Sequence, residues 1–279
     1  MTLRQEDLTS WPLNLFAPTF VENLQYAQKV VISRHFRPTL GSMNQSEPKD
    51  IVIYDQTESC PYLEGRTARM PLRMPIGKIT LAEADRRLAE GHRRTGEFVY
   101  QTCCPRCTAC EPLRIPVARF HYSRNARRVL AKGDRQLQQN VGPLICDARR
   151  LSLFNRHRLQ RGLAQNEASI DQVEYEWGFV KTCFDSFEIS YWDQDRLVAV
   201  AICDRGKTSL SAVYTFFDPD YTGHSLGTYS IFKQIEFCQQ QGLQYLYLGY
   251  YVAGSPHMEY KGRFLPQERL IDGVWQEFS

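Results

Sequence analysis

The sequence predicts an α+β fold in which a C-terminal half, ordered hairpin, glycine-containing loop, helix and strand, follows a smaller cysteine-containing α+β half. Three observations carry this. RLVAVAICDRG and KTSLSAVYTFFD are β-branched and aromatic runs joined by a short glycine-containing turn, the pattern of a hairpin. TYSIFKQIEFCQQQG places Ile231, Ile235 and Cys238 on one helical face and ends at Gly242, ahead of the apolar strand LQYLYLGYY. Upstream, IVIYDQTE alternates like a strand, and TLAEADRRLAEGHRRTG reads as a helix capped by Thr80 with Glu83 three residues on.

Taken in order, residues 1–42 look unlike the rest and are expected to be a dispensable N-terminal extension. Residues 43–140 form a cysteine-loop and basic domain: the strand and helix above, a strand at EFVYQT, the cysteine loop, and a strand at LRIPVARF. Residues 141–279 form the second domain, with a helix at SLFNRHRLQRGL and a strand broken by Asp218-Pro219. There is no internal repeat.

Composition narrows the class. With 43% hydrophobic and 23% charged residues the chain is an ordinary globular protein, which excludes collagen, coiled coil and disorder. No apolar run approaches the roughly 18–20 residues that cross a bilayer, and the N-terminus lacks the apolar core of a signal peptide. A cytoplasmic protein with no membrane partner is expected.

The net charge of +3 hides an asymmetry. The window Pro112–Arg161 holds 12 Lys/Arg against Asp134 and Asp147 and so carries +10, leaving −7 on the remainder. Solvated helix faces usually interleave acidic with basic residues; a block this one-sided points to a polyanion partner, and phosphate is the obvious anion.

The nine cysteines are odd in number and unevenly spread, unlike a disulfide framework. Cys146, Cys183, Cys203 and Cys238 sit among apolar residues and read as small hydrophobes. Cys104-x2-Cys107-x2-Cys110 is different: that spacing lets thiolates converge on one ion, and Cys60 could complete a set of four. Zinc and an iron–sulfur cluster both use four cysteines, so the spacing does not choose between them. A reduced thiol cluster that merely stabilises the loop is the plain alternative.

The order of elements in the C-terminal half is the core of the acetyltransferase-like (GNAT) architecture. There, a loop at a helix N-terminus offers unpaired backbone N–H groups to phosphates of the acyl donor. The loop here is Gly223-His224-Ser225-Leu226-Gly227-Thr228, without the basic, glycine-rich pattern expected for coenzyme A. A different acyl carrier is implied.

Longer segments carry a more specific likeness. SLSAVYTFFDPD, HSLGTYSIFKQIE, YLYLGYYVAGSPHMEYKGRFLPQE and GVW resemble the C-terminal half of the arginyl-tRNA–protein transferase family, with the bacterial aspartate/glutamate leucyltransferases the closer branch. SCPYL and GHRRTGEFVYQTCCPRCTACEPLRIPVARFHYSRNARR are similar to the same family's cysteine-rich and basic signature. The resemblance runs from about Asp55 to Trp275. It implies transfer of an amino acid, leucine in that branch, from charged tRNA to the α-amine of proteins beginning with Asp or Glu, which marks them for N-degron proteolysis.

Aminolysis of an activated ester calls for a neutral amine, alignment and oxyanion donors, with no cofactor for the chemistry. Positioning supplies up to ~7–11 kcal/mol in well-oriented cases. On the resemblance, Tyr214 and Thr215 frame the ester through backbone groups. Tyr250 and Tyr251 end the strand that should splay open. Ser225, Gly227 and Thr228 hold the donor's terminal nucleotide, while Arg124, Arg127 and Arg128 meet tRNA phosphates. Arg93, Arg94 and Lys261 meet the acceptor carboxylate. His224 is a second candidate base. In the eukaryotic relatives a further cysteine stands where this chain has Leu63, so their ligand set does not carry over directly. Arginyl transfer, a coenzyme A-dependent N-acetyltransferase and a non-enzymatic RNA-binding zinc module are the rival readings.

Overall fold

A computed structural model describes residues 50–163 and 168–279. The extension expected over 1–42 lies outside the described residues.

The first unit is a four-stranded antiparallel sheet in the order β1 (Asp50–Tyr54), β4 (Leu72–Pro75), β6 (Phe98–Tyr100), β5 (Arg93–Thr95). A two-stranded ribbon, β2 (Thr57–Ser59) with β3 (Thr67–Arg69), leans beside it. Helix α1 (Leu81–Ala89) starts where expected: the Thr80 hydroxyl accepts from the Glu83 N–H at 3.2 Å. Asp85 then ties this helix to the centre of the molecule, accepting from the Thr208 N–H at 2.8 Å and the Ser209 hydroxyl at 2.6 Å.

The second unit is an eight-stranded sheet. Its order is β14 (Val274–Phe278), β13 (Gln267–Ile271), β7 (Glu111–Pro116), β12 (Tyr245–Tyr251), β11 (Ser209–Phe217), β10 (Arg196–Arg205), β9 (Asp185–Asp193) and β8 (Gln138–Gly142). The hairpin β10–β11 and the helix-then-strand that follows it are those the sequence predicts. The sheet also runs across the expected boundary at 140/141, which falls inside β8, and it places β7 between β13 and β12.

Helices cover both faces. Helix α2 (Arg124–Asp134) and α5 (Leu226–Gln240) pack on one side, where Ala126, Leu130, Ile231 and Ile235 meet Ala201, Cys203 and Leu210. Helix α3 (Ala148–Gln160), with the short α4 (Gln172–Tyr175), packs on the other, where Leu153, Phe154 and Tyr175 meet Val200, Ile202 and Phe216. Alternation along β10 feeds both cores, as a sheet buried on two faces requires.

Along β11 the alternation breaks. Leu210 and Ala212 face the α5 side, whereas Tyr214 and Phe216 face the α3 side. The register explains it: Cys203 pairs with Ala212 and Ile202 with Tyr214, so Val213 is an inserted residue. A bulge of this kind flips the side-chain order and bends the strand.

Candidate active site

The parallel pairing of β11 with β12 lasts only from Ser209↔Tyr245 to Ser211↔Tyr247. Beyond it both strands continue without each other, to Phe217 and Tyr251. Each carries a bulge at the parting: Val213 in β11, and Leu248 in β12, where Tyr247 pairs with Arg114 and Gly249 with Leu113. Gly249 takes φ +85°, a conformation that side chains resist. Two opposed bends open the sheet between Tyr214–Phe217 and Gly249–Tyr251.

Buried cations hold the bent end of β12. Arg93 Nη2 donates to the Gly249 carbonyl at 2.9 Å, with its guanidinium carbon 5.7 Å from the Tyr247 ring centre and 5.6 Å from that of Tyr250. Lys261, fully buried, donates from Nζ to the Tyr250 carbonyl at 2.7 Å. Burial lowers the pKa of both groups, and the charge of Arg93 lowers that of Lys261 further. The Tyr250 hydroxyl donates to the Gly91 carbonyl at 3.0 Å, and burial pushes its pKa up. Tyr251 is half-buried, with Arg269 stacked 3.6 Å from its ring centre.

These contacts revise the acceptor set. Arg94 is locked by Nε to Asp204, 2.8 and 2.7 Å from its two oxygens, with the Ser186 hydroxyl on the same carboxylate. It clamps β5 to β10 and does not reach the opening as a free cation. Arg93 and Lys261 are turned onto backbone carbonyls. That the chain itself engages the donors of these cations is visible only in the fold.

The loop after β11 is half-exposed at Ser225, Gly227 and Thr228. Ser225 sits at φ 48°, ψ 49° and makes no side-chain cap, so the first N–H groups of α5 keep their capacity for an outside acceptor. Helix α2 lies against this loop: Lys132 Nζ donates to the Gly223 carbonyl at 2.7 Å, and the Tyr229 hydroxyl of α5 donates to Asp134 at 2.8 Å. His224 is tied to Gln136 at 2.9 Å. Arg124, Arg127 and Arg128, with Arg135, are exposed on α2 and form no ion pair among the described residues. Elsewhere in the basic window four arginines are paired internally, as Arg114–Glu268, Arg119–Glu277, Arg150–Glu188 and Arg156–Asp218.

On the other side of the opening, Tyr214 is buried among Phe154, Phe179 and Phe216, and Thr215 is paired to Ala201. Burial raises the Tyr214 pKa even though Arg158 and Arg161 pull it down. The last turns of α3 brace this strand end, with His157 Nδ1 2.9 Å from the Phe217 carbonyl. Nothing in the sequence singles out His157, Arg158 or Arg161, since the run NRHRLQR offers only helical periodicity.

The cysteine loop flanks the same region. A groove of about 920 Å³ is lined by Cys103, Cys104, Cys107 and Cys110, by Glu111 and by Tyr250. Of the four expected ligands, Cys60, Cys104 and Cys107 all lie within electrostatic reach of Cys110. Cys104 Sγ accepts from the Arg69 N–H at 3.4 Å, and Cys110 packs into the cluster around Tyr100 and Tyr250, where burial pushes its thiol up to about 12. Among the described residues, no three His, Cys, Asp or Glu side chains converge to hold a metal. No chemical step is routed through a metal or a cluster.

Comparison with known proteins gives the family. Residues 58–128 match the family described as "Arginine-tRNA-protein transferase, N terminus", and residues 149–271 match its C-terminal counterpart. An aspartate/glutamate leucyltransferase of Acinetobacter baumannii is 37% identical over 225 residues, 79% of this chain and 81% of the relative. Those of Gluconacetobacter diazotrophicus and Thiobacillus denitrificans are 37% and 36% identical, over 77% and 78% of this chain and 83% and 90% of theirs. With both halves matched in order and relatives this close along most of their length, the chain belongs to the arginine-tRNA-protein transferase family.

Proposed function

We propose that this protein moves leucine from charged tRNA to the α-amine of proteins whose first residue is Asp or Glu, by acyl transfer on an acetyltransferase-like core. The observation that carries the reading is the opening between β11 and β12, set beside the uncapped start of α5 and the free cations of α2. Ser225, Gly227 and Thr228 receive the donor's 3′ end, and Arg124, Arg127 and Arg128 attract its phosphates. Tyr214 and Thr215 line one edge of the opening through the backbone; Tyr250 and Tyr251 line the other. The acceptor terminus enters by the groove that ends on Tyr250, and Arg93 and Lys261 act as positioning residues for that strand end.

In the reaction the neutral amine attacks the ester carbon, a C–N bond forms, and the C–O bond to the ribose breaks. The amine proton is lost to solvent and the ribose oxygen leaves as a hydroxyl. An α-amine with a pKa of about 8 keeps a useful neutral fraction near neutrality, so no strong base is required. Leucine is favoured over arginine by the ground around Tyr214: its neighbours are Phe154, Phe179 and Phe216, and the nearest charges are the cations Arg158 and Arg161. These repel a guanidinium.

Purified protein is to be mixed with Asp- and Glu-initiated peptides and separately with Leu-tRNA, Arg-tRNA or acetyl-CoA, followed by mass spectrometry. A leucine adduct from Leu-tRNA alone, abolished by ribonuclease, is the expected result. A peptide left unmodified by every donor overturns the reading, and an acetyl adduct replaces it.

A further inference from the structure

Every strongly buried arginine that faces a carboxylate in this protein has an obvious structural task. Arg87 meets Asp50 and Glu83, Arg94 meets Asp204, and Arg150 meets Glu188. The last two turns of α3 break that rule. Arg158 is only 5% exposed, yet its Nε has no hydrogen-bond partner among the described residues, and its guanidinium is anchored from Nη1 to the Ala168 carbonyl at 3.1 Å. Three residues on, Arg161 has its guanidinium carbon 5.7 Å from the Phe217 ring centre. Neither forms an ion pair among the described residues. Burial depresses the pKa of both, and the pull of Tyr214 on each and of Glu174 on Arg158 does not offset it.

His157, immediately before Arg158 and within reach of the Arg161 charge, is 1% exposed. Its Nδ1 lies 2.9 Å from the Phe217 carbonyl and 3.3 Å from the Phe217 N–H, and burial brings its pKa down to about 4, so the ring is neutral. With the proton on Nδ1, toward the nearer carbonyl, Nε2 is a buried acceptor without a partner among the described residues. Two cationic forks and one acceptor therefore converge where β11 ends and the loop toward Ser225 begins. Arg156 and Arg196 both grip Asp218, which fixes the start of that loop. Uncompensated buried charge is costly, and native proteins seldom leave such atoms unsatisfied. The arrangement is complementary to a ligand with a negative oxygen pair and an adjacent hydroxyl donor.

We propose that Arg158, Arg161 and His157 form the subsite for the last phosphodiester and ribose of the donor's 3′ end, the guanidiniums meeting the phosphate and Nε2 accepting from a ribose hydroxyl. This rests on the tRNA-dependent reading above and deepens it. It divides the labour between two basic surfaces on either side of the loop: α2 meets the RNA body without regard to its end, and the end of α3 reads the terminus.

The test uses the whole protein and two uncharged RNAs, intact tRNA and the same tRNA stripped of its terminal CCA. The wild type should bind the intact form at least ~10-fold more tightly, as expected for charge-assisted bonds to one phosphate. Arg158→Gln/Arg161→Gln should bring the two affinities together by weakening only the intact form, and Arg158→Lys should restore part of the difference. Arg127→Glu/Arg128→Glu should weaken both RNAs equally and keep the ratio. Because Arg158 is buried, Arg161→Gln alone, checked by thermal melting, must shift the ratio in the same direction. A wild type that does not distinguish the two RNAs, or an Arg161→Gln variant that keeps the wild-type ratio, overturns the proposal. Should the wild type bind neither RNA nor transfer leucine, the tRNA-dependent reading itself fails, which is a separate result.

Discussion

Gly133 lies where α2 crosses the ring of Tyr229, and a Cβ built on it would stand 2.2 Å from that ring. Tyr229 is itself buried and bonded to Asp134, so the ring has little room to yield. Alanine gains up to ~1 kcal/mol of helix propensity over glycine, but overpacking of this kind costs about 1–3 kcal/mol. Gly133→Ala should therefore lower stability in denaturant melts and loosen α2 from the loop. His157 provides a pH signature. Its folded pKa is about 4 against an ordinary 6.5, so the unfolded chain binds the extra proton. The stability tied to the neutral ring is complete above pH 6.5 and drains away as pH falls toward 4. At about 1.4 kcal/mol per pKa unit this approaches ~3 kcal/mol. Wild-type stability should fall more steeply between pH 7 and 4 than that of His157→Gln; parallel curves would refute the assignment.

At the scale of elements, α2 and α3 do different work with similar charge. Arginines on α2 project into solvent, while most of those on α3 are paired with carboxylates or buried. Arg127→Glu/Arg128→Glu should weaken tRNA binding and flatten its salt dependence, by about 0.9 in the log–log slope for each duplex phosphate that is no longer neutralised. Unchanged binding in a salt titration would move the RNA surface elsewhere. Helix α3 depends on its cap. Asp147 accepts from the Arg150 N–H at 2.8 Å, and Asp147→Ala should cost about 1 kcal/mol in a melt. The cap is legible as an Asp ahead of a periodic run. The C-terminal hairpin carries a local signal too, in its Asp272-Gly273 turn: φ values of 49° and 78° are those of a two-residue hairpin turn. Strand β9 is harder, because FEISYWD mixes polar and aromatic residues that only a two-sided sheet makes intelligible.

For the whole molecule, the expected boundary at 140/141 matters most. A fragment of residues 141–279 lacks β7, which pairs β12 on one side and β13 on the other. Two strand edges would be laid open in the middle of the sheet. Such a fragment is expected to aggregate or to lack cooperative melting by circular dichroism, and a soluble, sharply melting one would support the two-domain division. The buried Arg94–Asp204 pair carries the same coupling. Arg94→Ala leaves Asp204 buried and unpaired and should cost about 3–5 kcal/mol.

The sequence by itself determined the family, the hairpin–loop–helix–strand order and the presence of a one-sided basic segment. These are written locally, in strand alternation, in helix caps and in long contiguous motifs. Only the tertiary structure decided which cations are free. Arg94 and Arg127 look alike in the chain; one faces Asp204 across a buried interface and the other faces water, because charge is neutralised or left free by neighbours far away in sequence. The opening between β11 and β12 is likewise a property of two bulges set opposite each other, and register between distant strands exists only once the sheet has formed.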